Sequence, residues 1–494
     1  MGAALTLASK TSSEDEESLP PKAKRARLDP NLCSETSKSD INCSSNATSA
    51  SSKTDQFVFT PSPRLLWLWP TSSASGPGFQ QAKWENLPYV ALVEIFRRLP
   101  NTDKYSAALA CRAWQLPFHR PALWRRGNFR FNGQNEWRAL TFVSLMGPAL
   151  RHVTIDCSAE FEVRHGPAAQ SAKNLSIFLT CLVNSQNSQV STFKLTHLRR
   201  LVKHLAETEG DLVQLLSSFL TAQKNLTSLD LQHAGLSADQ AFQLLESAAT
   251  SSESSVRVLS ISEIICPLPG YEVALDPRLL ILLAPFTALT ELSISYCYLS
   301  DDLLFLLACT VTLTLTQIAV WAGYVGRVEG RTSSRAWRHL VIRCPRLGAS
   351  FAVKSIKREQ CFKGVLTPGT PLTRLQLSIG GFTTVSTTAA CFDHIISHFH
   401  ESLQHFEFDL HIAKVDVGED LAALVKQCYN LKTLHLASSV SDFGQELCVK
   451  RAVRRAVARQ PRSKLKVVTF NGEEVDVKET WTTTFVDWLT EKLQ

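Results

Sequence analysis

Apolar residues recur along most of the chain in one short pattern, apolar-x-x-apolar-x-apolar. Copies begin at Leu150, Val190, Leu226, Val256, Leu289, Leu315, Leu372, Leu403, Leu431 and Leu465. The second half of each copy, as in Val153-x-Ile155 or Leu229-x-Leu231, alternates with the two-residue period of a strand buried on one face. The first apolar residue anchors the turn before it. A weaker copy at Leu347 fills the longest gap, and the starts then lie about 26 to 40 residues apart. Helical patterns follow several copies. Ser237 and Gln240 form a capping box, and Ala241, Leu244, Leu245 and Ala248 then share one helical face. Ser300 precedes a second apolar run after Leu292-x-Ile294. One strand–turn–helix unit of this size cannot bury its apolar face alone. Stacking the units predicts an α/β solenoid with the strands on its concave side.

Over roughly residues 150–470 these copies resemble the leucine-rich-repeat family. The resemblance is irregular: the asparagine or cysteine expected after the third apolar position is mostly absent, although Cys157 and Cys297 come near it. Alternation points Asp230, Gln232, Glu291, Ser293, Arg374, Gln376, His405, Glu407, Asp409 and His435 away from the core. They are the candidate surface for capturing a protein ligand.

A different pattern precedes the repeats. Leu92, Ile95, Phe96 and Leu99 follow the spacing of one helix face, with Pro88 to open that helix and Pro100 to end it. Asp103 is placed to cap a second helix, in which Ala107, Leu109, Ala110, Cys111 and Trp114 supply apolar surface. Leu123 and Trp124 close the segment. A hairpin of about forty residues has too small a core to stand alone, so its apolar surface is shared with something else.

The order Leu87-Pro88, Leu92-x-x-Ile95-Phe96, Leu99-Pro100, Cys111-Arg112-x-Trp114 and Leu123-Trp124 resembles the F-box family at every element. The resemblance implies docking to the Skp1-type adaptor of an SCF cullin-RING ubiquitin ligase. By that analogy Leu87, Pro88, Leu92, Ile95, Phe96 and Leu99 form much of the docking surface. Cys111, Arg112, Trp114 and Trp124 pack the hairpin and finish that surface. The implied role is a non-catalytic substrate receptor that holds a protein target near a ubiquitin-charged enzyme, with no cofactor. Arg97 and Arg98, often neutral in the family, fall on the solvated face.

The remaining features add boundaries more than chemistry. Residues 1–83 are rich in Ser, Thr, Lys and Pro without apolar periodicity, and read as a disordered arm. It carries an acidic cluster, Ser12–Glu17, and a basic one, Lys22–Arg27, that resembles a nuclear import signal, so residence in nucleus and cytoplasm is expected. Met1–Thr6 fits a short myristoylation pattern. The expected domains are thus 1–83, an F-box at 84–130, a repeat body at 131–475 and a C-terminal cap at 476–494.

The composition, 44% hydrophobic and 20% charged, suits a soluble chain with a large core. A net charge of +7 over 494 residues is too small to single out a nucleic-acid partner. The 13 cysteines include no CxxC pair and read as reduced thiols. Residues 303–326 are uncharged, but Val311–Thr316 alternates as a strand would, so no membrane span is expected. Cys391, His394 and His398 share a helical face but fall short of a four-ligand zinc set. Gly323, Gly326 and Gly330 fit no phosphate loop and read as an insertion. A basic helix face with Arg454 and Arg455 supports the alternative function, a nuclear scaffold binding an acidic partner or nucleic acid without ligase activity.

Overall fold

The computed structural model describes residues 84–474, apart from 159–164, 203–208, 253–254, 266–275, 312, 324–331, 355–357, 380–384, 411–416, 439–451, 454–455, 457–463 and 471–472. Every described residue lies in the unit Ser52–Gln494. The N-terminal arm with its two charged clusters, Gly326, Gly330, Arg454, Arg455 and the expected cap at 476–494 fall outside the described residues.

Three short helices open the described chain: α1 (Tyr89–Arg98), α2 (Asn101–Ala108) and α3 (Arg112–Phe118). Pro88 stands at the N-cap of α1 and Leu99 at its C-cap, so the two prolines delimit it as the spacing implies. The second helix departs from expectation. It starts at Asn101, which places Asp103 in its first turn, not at its cap. It ends at Ala108, and Cys111 becomes the N-cap of a separate helix. Val93, Phe96, Ala108, Leu123 and Trp124 close a small core with Met146 from the first repeat helix, and Phe142 packs against it. Trp124 donates from Nε1 to Phe118 O at 2.7 Å, and its ring lies 5.5 Å from that of Phe142, edge to face. The shared surface that the hairpin's size demanded is this joint.

Among the described residues, thirteen strands follow one another in a single sheet whose spatial order is the chain order. They are β1 (Arg126–Arg130), β2 (His152–Asp156), β3 (Thr192–Thr196), β4 (Ser228–Asp230), β5 (Val258–Ser260), β6 (Glu291–Ser295), β7 (Gln317–Ala322), β8 (Gly348–Lys354), β9 (Leu372–Ile379), β10 (His405–Leu410), β11 (Thr433–Ser438), β12 (Val467–Phe470) and β13 (Glu473–Glu474). Pairing is parallel from β1 to β12, and β13 turns back antiparallel. The helices between them are α4 (Glu136–Met146), α5 (His165–Asn184), α6 (Arg199–Val202), α7 (Glu209–Thr221), α8 (Ala238–Ser252), α9 (Pro277–Leu283), α10 (Asp301–Thr310), α11 (Ser334–Arg343), α12 (Glu359–Val365), α13 (Val385–Phe399) and α14 (Gly418–Gln427). A strand-and-helix repeat in strict sequence order is the solenoid-like α/β array that the pattern predicts.

The hexads account for the core. Their first residues, from Leu150 to Leu431, are buried beneath the strands, and the alternating pairs such as Phe193 and Leu195 or Phe406 and Phe408 face inward. The capping box forms as read: Ser237 N donates to Gln240 Oε1 at 2.9 Å and Gln240 N to Ser237 Oγ at 3.3 Å. Ser300 Oγ likewise accepts from Leu303 N.

Three local readings are corrected. The copy at Leu347 is out of phase: β8 turns Ala349, Phe351 and Val353 inward, with a register shift at Ala349/Ser350 against β9. The strand near residue 311 is Gln317–Ala322, because α10 runs to Thr310 and Leu313 takes a left-handed turn at φ 68°. The ladder also begins earlier than residue 131, since β1 pairs in full register with β2. No described helix is long and apolar enough to cross a membrane.

On α13, burial pushes the Cys391 thiol up to about 12, and His394 donates from Nε2 to Leu366 O at 2.7 Å. Burial holds His394 below its ordinary value, aided by His398 and Lys363 and opposed by the Leu366 bond and Glu359. A histidine depressed in this way contributes stability that is full above its unfolded value of about 6.5 and is lost as pH falls. Thermal melts of the full chain should therefore show a midpoint falling from pH 7 to pH 5, with a shallower fall for His394→Gln; an unchanged slope in the variant would refute this source. At the joint, Trp124→Ala is expected to cost about 3–5 kcal/mol and to lower the urea midpoint. Exposed Trp137→Ala should leave it in place; equal loss in both would show that the joint is not special.

Candidate functional site

Two surfaces carry the residues singled out by the sequence. On the hairpin, Leu92, Phe96 and Trp124 are at most 2% exposed and face inward. Phe96 and Trp124 belong to the small core of the hairpin. Leu87, Ile95, Leu99, Cys111 and Trp114 are half-buried, and Pro88 and Arg112 are exposed. Trp114 donates from Nε1 to Trp84 O at 3.1 Å, which ties the start of the segment to α3. Arg97 and Arg98 both pair with Glu94 on the solvated side of α1.

Five apolar side chains of this small segment stand in solvent: Trp84, Tyr89, Val90, Leu109 and Leu116, with Val90 at 76%. Val90 and Leu116 lie off the helix-face pattern, and nothing in the spacing marked them.

On the outward face of the sheet, register brings part of the predicted set together. Arg374 lies beside His405, and Gln376, Glu407 and His435 form the next row across β9–β11. Gln376 donates from Nε2 to Glu407 at 2.9 Å, while His405 and His435 bond through Nδ1 to Thr433 and Thr469. Asp230 and Gln232 belong to a separate group at β4. Asp230 pairs with Lys194 at 3.0 Å, and Gln232 donates to Ser293 Oγ. Glu291 is exposed at the start of β6.

A third group, absent from the alternation reading, lies at the C-terminal ends of β3–β8: three residues just past β3, β4 and β5, with Trp321 near the end of β7 and Lys354 closing β8. His197, His233 and Glu263 occupy successive repeats at the same place, each in a left-handed conformation (φ 62°, 56° and 53°). His197 and His233 stack with ring centres 5.0 Å apart. His233 Nδ1 lies 2.6 Å from Glu263 Oε2, and Trp321 Nε1 donates to Glu263 Oε1 at 2.9 Å. The His233 bond, chiefly, holds the Glu263 carboxyl below the usual carboxylate range. Burial, with His233 adding to it, holds His197 low, against the pull of Asp156. The Lys354 ammonium sits over the Trp321 ring at 4.6 Å. The sequence did contain a signal: a polar residue stands two positions after Leu195, Leu231 and Ile261, the third apolar residue of three consecutive hexads.

Residues 84–130 match the family model described as F-box-like. The chain is 25% identical over 300 residues to F-box/LRR-repeat protein 21 of Mus musculus, covering 59% of this chain and 64% of that protein. It is also 25% identical over 325 residues to the Ovis aries protein of the same name, covering 63% of this chain and 69% of that one. The matched part of the mouse relative is thus less than two thirds of its length. Among solved structures, the leucine-rich-repeat-containing protein LegL7 from Legionella pneumophila aligns at 13% identity with a TM-score of 0.36, over 73% of this chain and 96% of that one. The fold assignment rests on the parallel ladder and its hexads, not on that superposition. The family match, the relatives and the ladder together support an F-box-like segment followed by a leucine-rich-repeat-like body.

Proposed function

We propose that the chain is the substrate-recognition subunit of an SCF-type ubiquitin ligase, docking a Skp1-type adaptor through residues 84–124 and capturing a protein target on the repeat body. The observation that carries this reading is the F-box-like segment whose apolar residues Trp84, Val90, Leu109 and Leu116 are left in solvent. An adaptor helix laid against them would bury surface the hairpin cannot bury itself. The cullin-RING scaffold then joins through the adaptor. The chain's contribution is positioning: it raises the effective concentration of a substrate lysine near the charged conjugating enzyme.

The joint at Trp124 supports this role. Trp124 contacts Phe142, Phe142 lies 5.7 Å from Phe129 of β1, and Phe129 lies 4.6 Å from Phe178 of α5. Packed aromatic rings at these distances resist relative motion, so a target held on the repeats keeps a set distance from an adaptor held on the hairpin.

Co-purification of the adaptor with the full chain tests the docking half. Wild type is expected to retain it, and Leu116→Asp/Val90→Asp to lose it by about tenfold or more, as for a central interface anchor. Both positions are exposed, so the variants keep the fold, which circular dichroism checks. Failure of the wild-type chain to retain adaptor would sink the ligase reading.

A further inference from the structure

The group at the strand ends has features that packing alone does not require. Left-handed backbone is costly for residues other than glycine and persists where the surroundings over-determine it. Here it recurs at His197, His233 and Glu263 in three successive repeats. Two close approaches hold the group in place. A Cβ on Gly323 would lie 2.7 Å from Trp321 Nε1, and one on Gly235, itself at φ 64°, would lie 2.5 Å from the Arg199 side chain. The rings are thus set before any ligand arrives, the condition for a site that binds without paying ordering entropy.

Its charge is unbalanced. Glu263 spends both carboxylate oxygens on His233 and Trp321. Asp156 is occupied by Ser158, with Arg130 at 3.8 Å. Lys354 and Arg199 form no ion pair among the described residues, and His197 Nδ1 is buried 3.6 Å from Asp156 with no hydrogen-bond partner among them. Among the described residues the acids are therefore consumed internally, while Lys354 and Arg199 are left without an ion pair. The ground beside them is low. The registered neighbours of Trp321 are Ser295 on one side and Ala352 on the other. Its half-buried ring stands above small side chains, with an ammonium over it.

We propose that His197, His233, Trp321 and Lys354 form a docking site for an acidic peptide segment of the captured protein. Carboxylates of the segment pair with Lys354 and Arg199 and accept from the imidazoles, and one of its apolar side chains packs on Trp321. Unmodified acidic residues suffice. The site rests on the reading of the repeat body as the capture surface and gives that surface a ligand chemistry.

The test uses the full chain and fluorescence anisotropy with a labelled short peptide of aspartate and glutamate around one phenylalanine. A peptide with lysine at each acidic position and one with phosphoserine as its sole anionic residue serve as the other arms. The acidic peptide is expected to bind, and the lysine peptide is not. Lys354→Glu should raise Kd by about tenfold, the equivalent of one charge-assisted hydrogen bond, and Trp321→Ala should do the same. Lys173→Glu, on the exposed face of α5, makes the same charge change elsewhere and should leave Kd as it is. No binding by the acidic peptide, binding confined to the phosphoserine peptide, or equal Kd in wild type and Lys354→Glu would each overturn the proposal. Adaptor co-purification from the same samples reads the ligase assignment separately: adaptor kept with peptide lost means that the rim fails alone.

Discussion

The structure depends on one constraint: a parallel ladder in which every strand must find its inward pair already resting on the next. Leu229 registers with Leu259, Leu259 with Leu292, and Leu292 with Ile318. Each pair is buried only because its neighbours are, so no repeat is stable by itself. The two ends of such a ladder are its exposed edges. The antiparallel return of β13 lies beyond β12 at one end. At the other, β1 is the first strand, and its Phe129 reaches the rings that meet Trp124 of the hairpin. The F-box-like segment is therefore attached where the repeats most need a cover.

The same ladder separates scaffold from function. Turns before the strands are held by buried apolar anchors and by bonds such as Asn187 Nδ2 to Gly147 O and Leu150 O, which leave little freedom. Connections after the strands have buried apolar residues of their own, such as Leu198, Leu236 and Leu299, but differ from one repeat to the next, from the direct run of β6 into a tight turn to the span between Ser260 and Pro277. In repeat proteins, variable connections gather on one side and commonly serve recognition. His197, His233 and Glu263 lie on that side, beside Trp321 near the end of β7.

Legibility in the sequence follows this division. Hexads could be read because burial repeats with a fixed period, and the Ser237–Gln240 box because capping is local chemistry. The phase of β8 could not, because Leu347 suits the anchor position while Ala349 is too small to announce itself as an inward residue. Nor could β1: it holds a single large inward residue, Phe129, amid arginines and a glycine, and only its partner β2 makes it a strand. The hairpin's sequence motif was legible as a whole, yet it mixed residues that face in with residues that face out. Leu92 and Ile95 share one helical stripe, yet Leu92 is buried and Ile95 half-buried, a difference that the spacing does not display. The polar residues after three hexads were visible singly, but their stacking across repeats depends on register, which no linear pattern displays.

Rigidity is what joins the two proposed surfaces. A receptor whose docking hairpin swung freely would present its target at many distances from the ligase, and effective concentration would fall accordingly. Here the path from hairpin to repeats runs through Trp124, Phe142, Phe129 and Phe178, ring against ring. It continues through a ladder whose strands keep register from β1 to β12, interrupted only by the shift at Ala349/Ser350. That shift lies between the histidine rim and the polar rows of β9–β11. Beyond it the outward residues stay in step, with Ser350 beside Arg374 and Ala352 beside Gln376, so the rim and those rows share one face of the sheet. A target that engages the rim is placed by the stretch nearest the hairpin, where the ladder is unbroken.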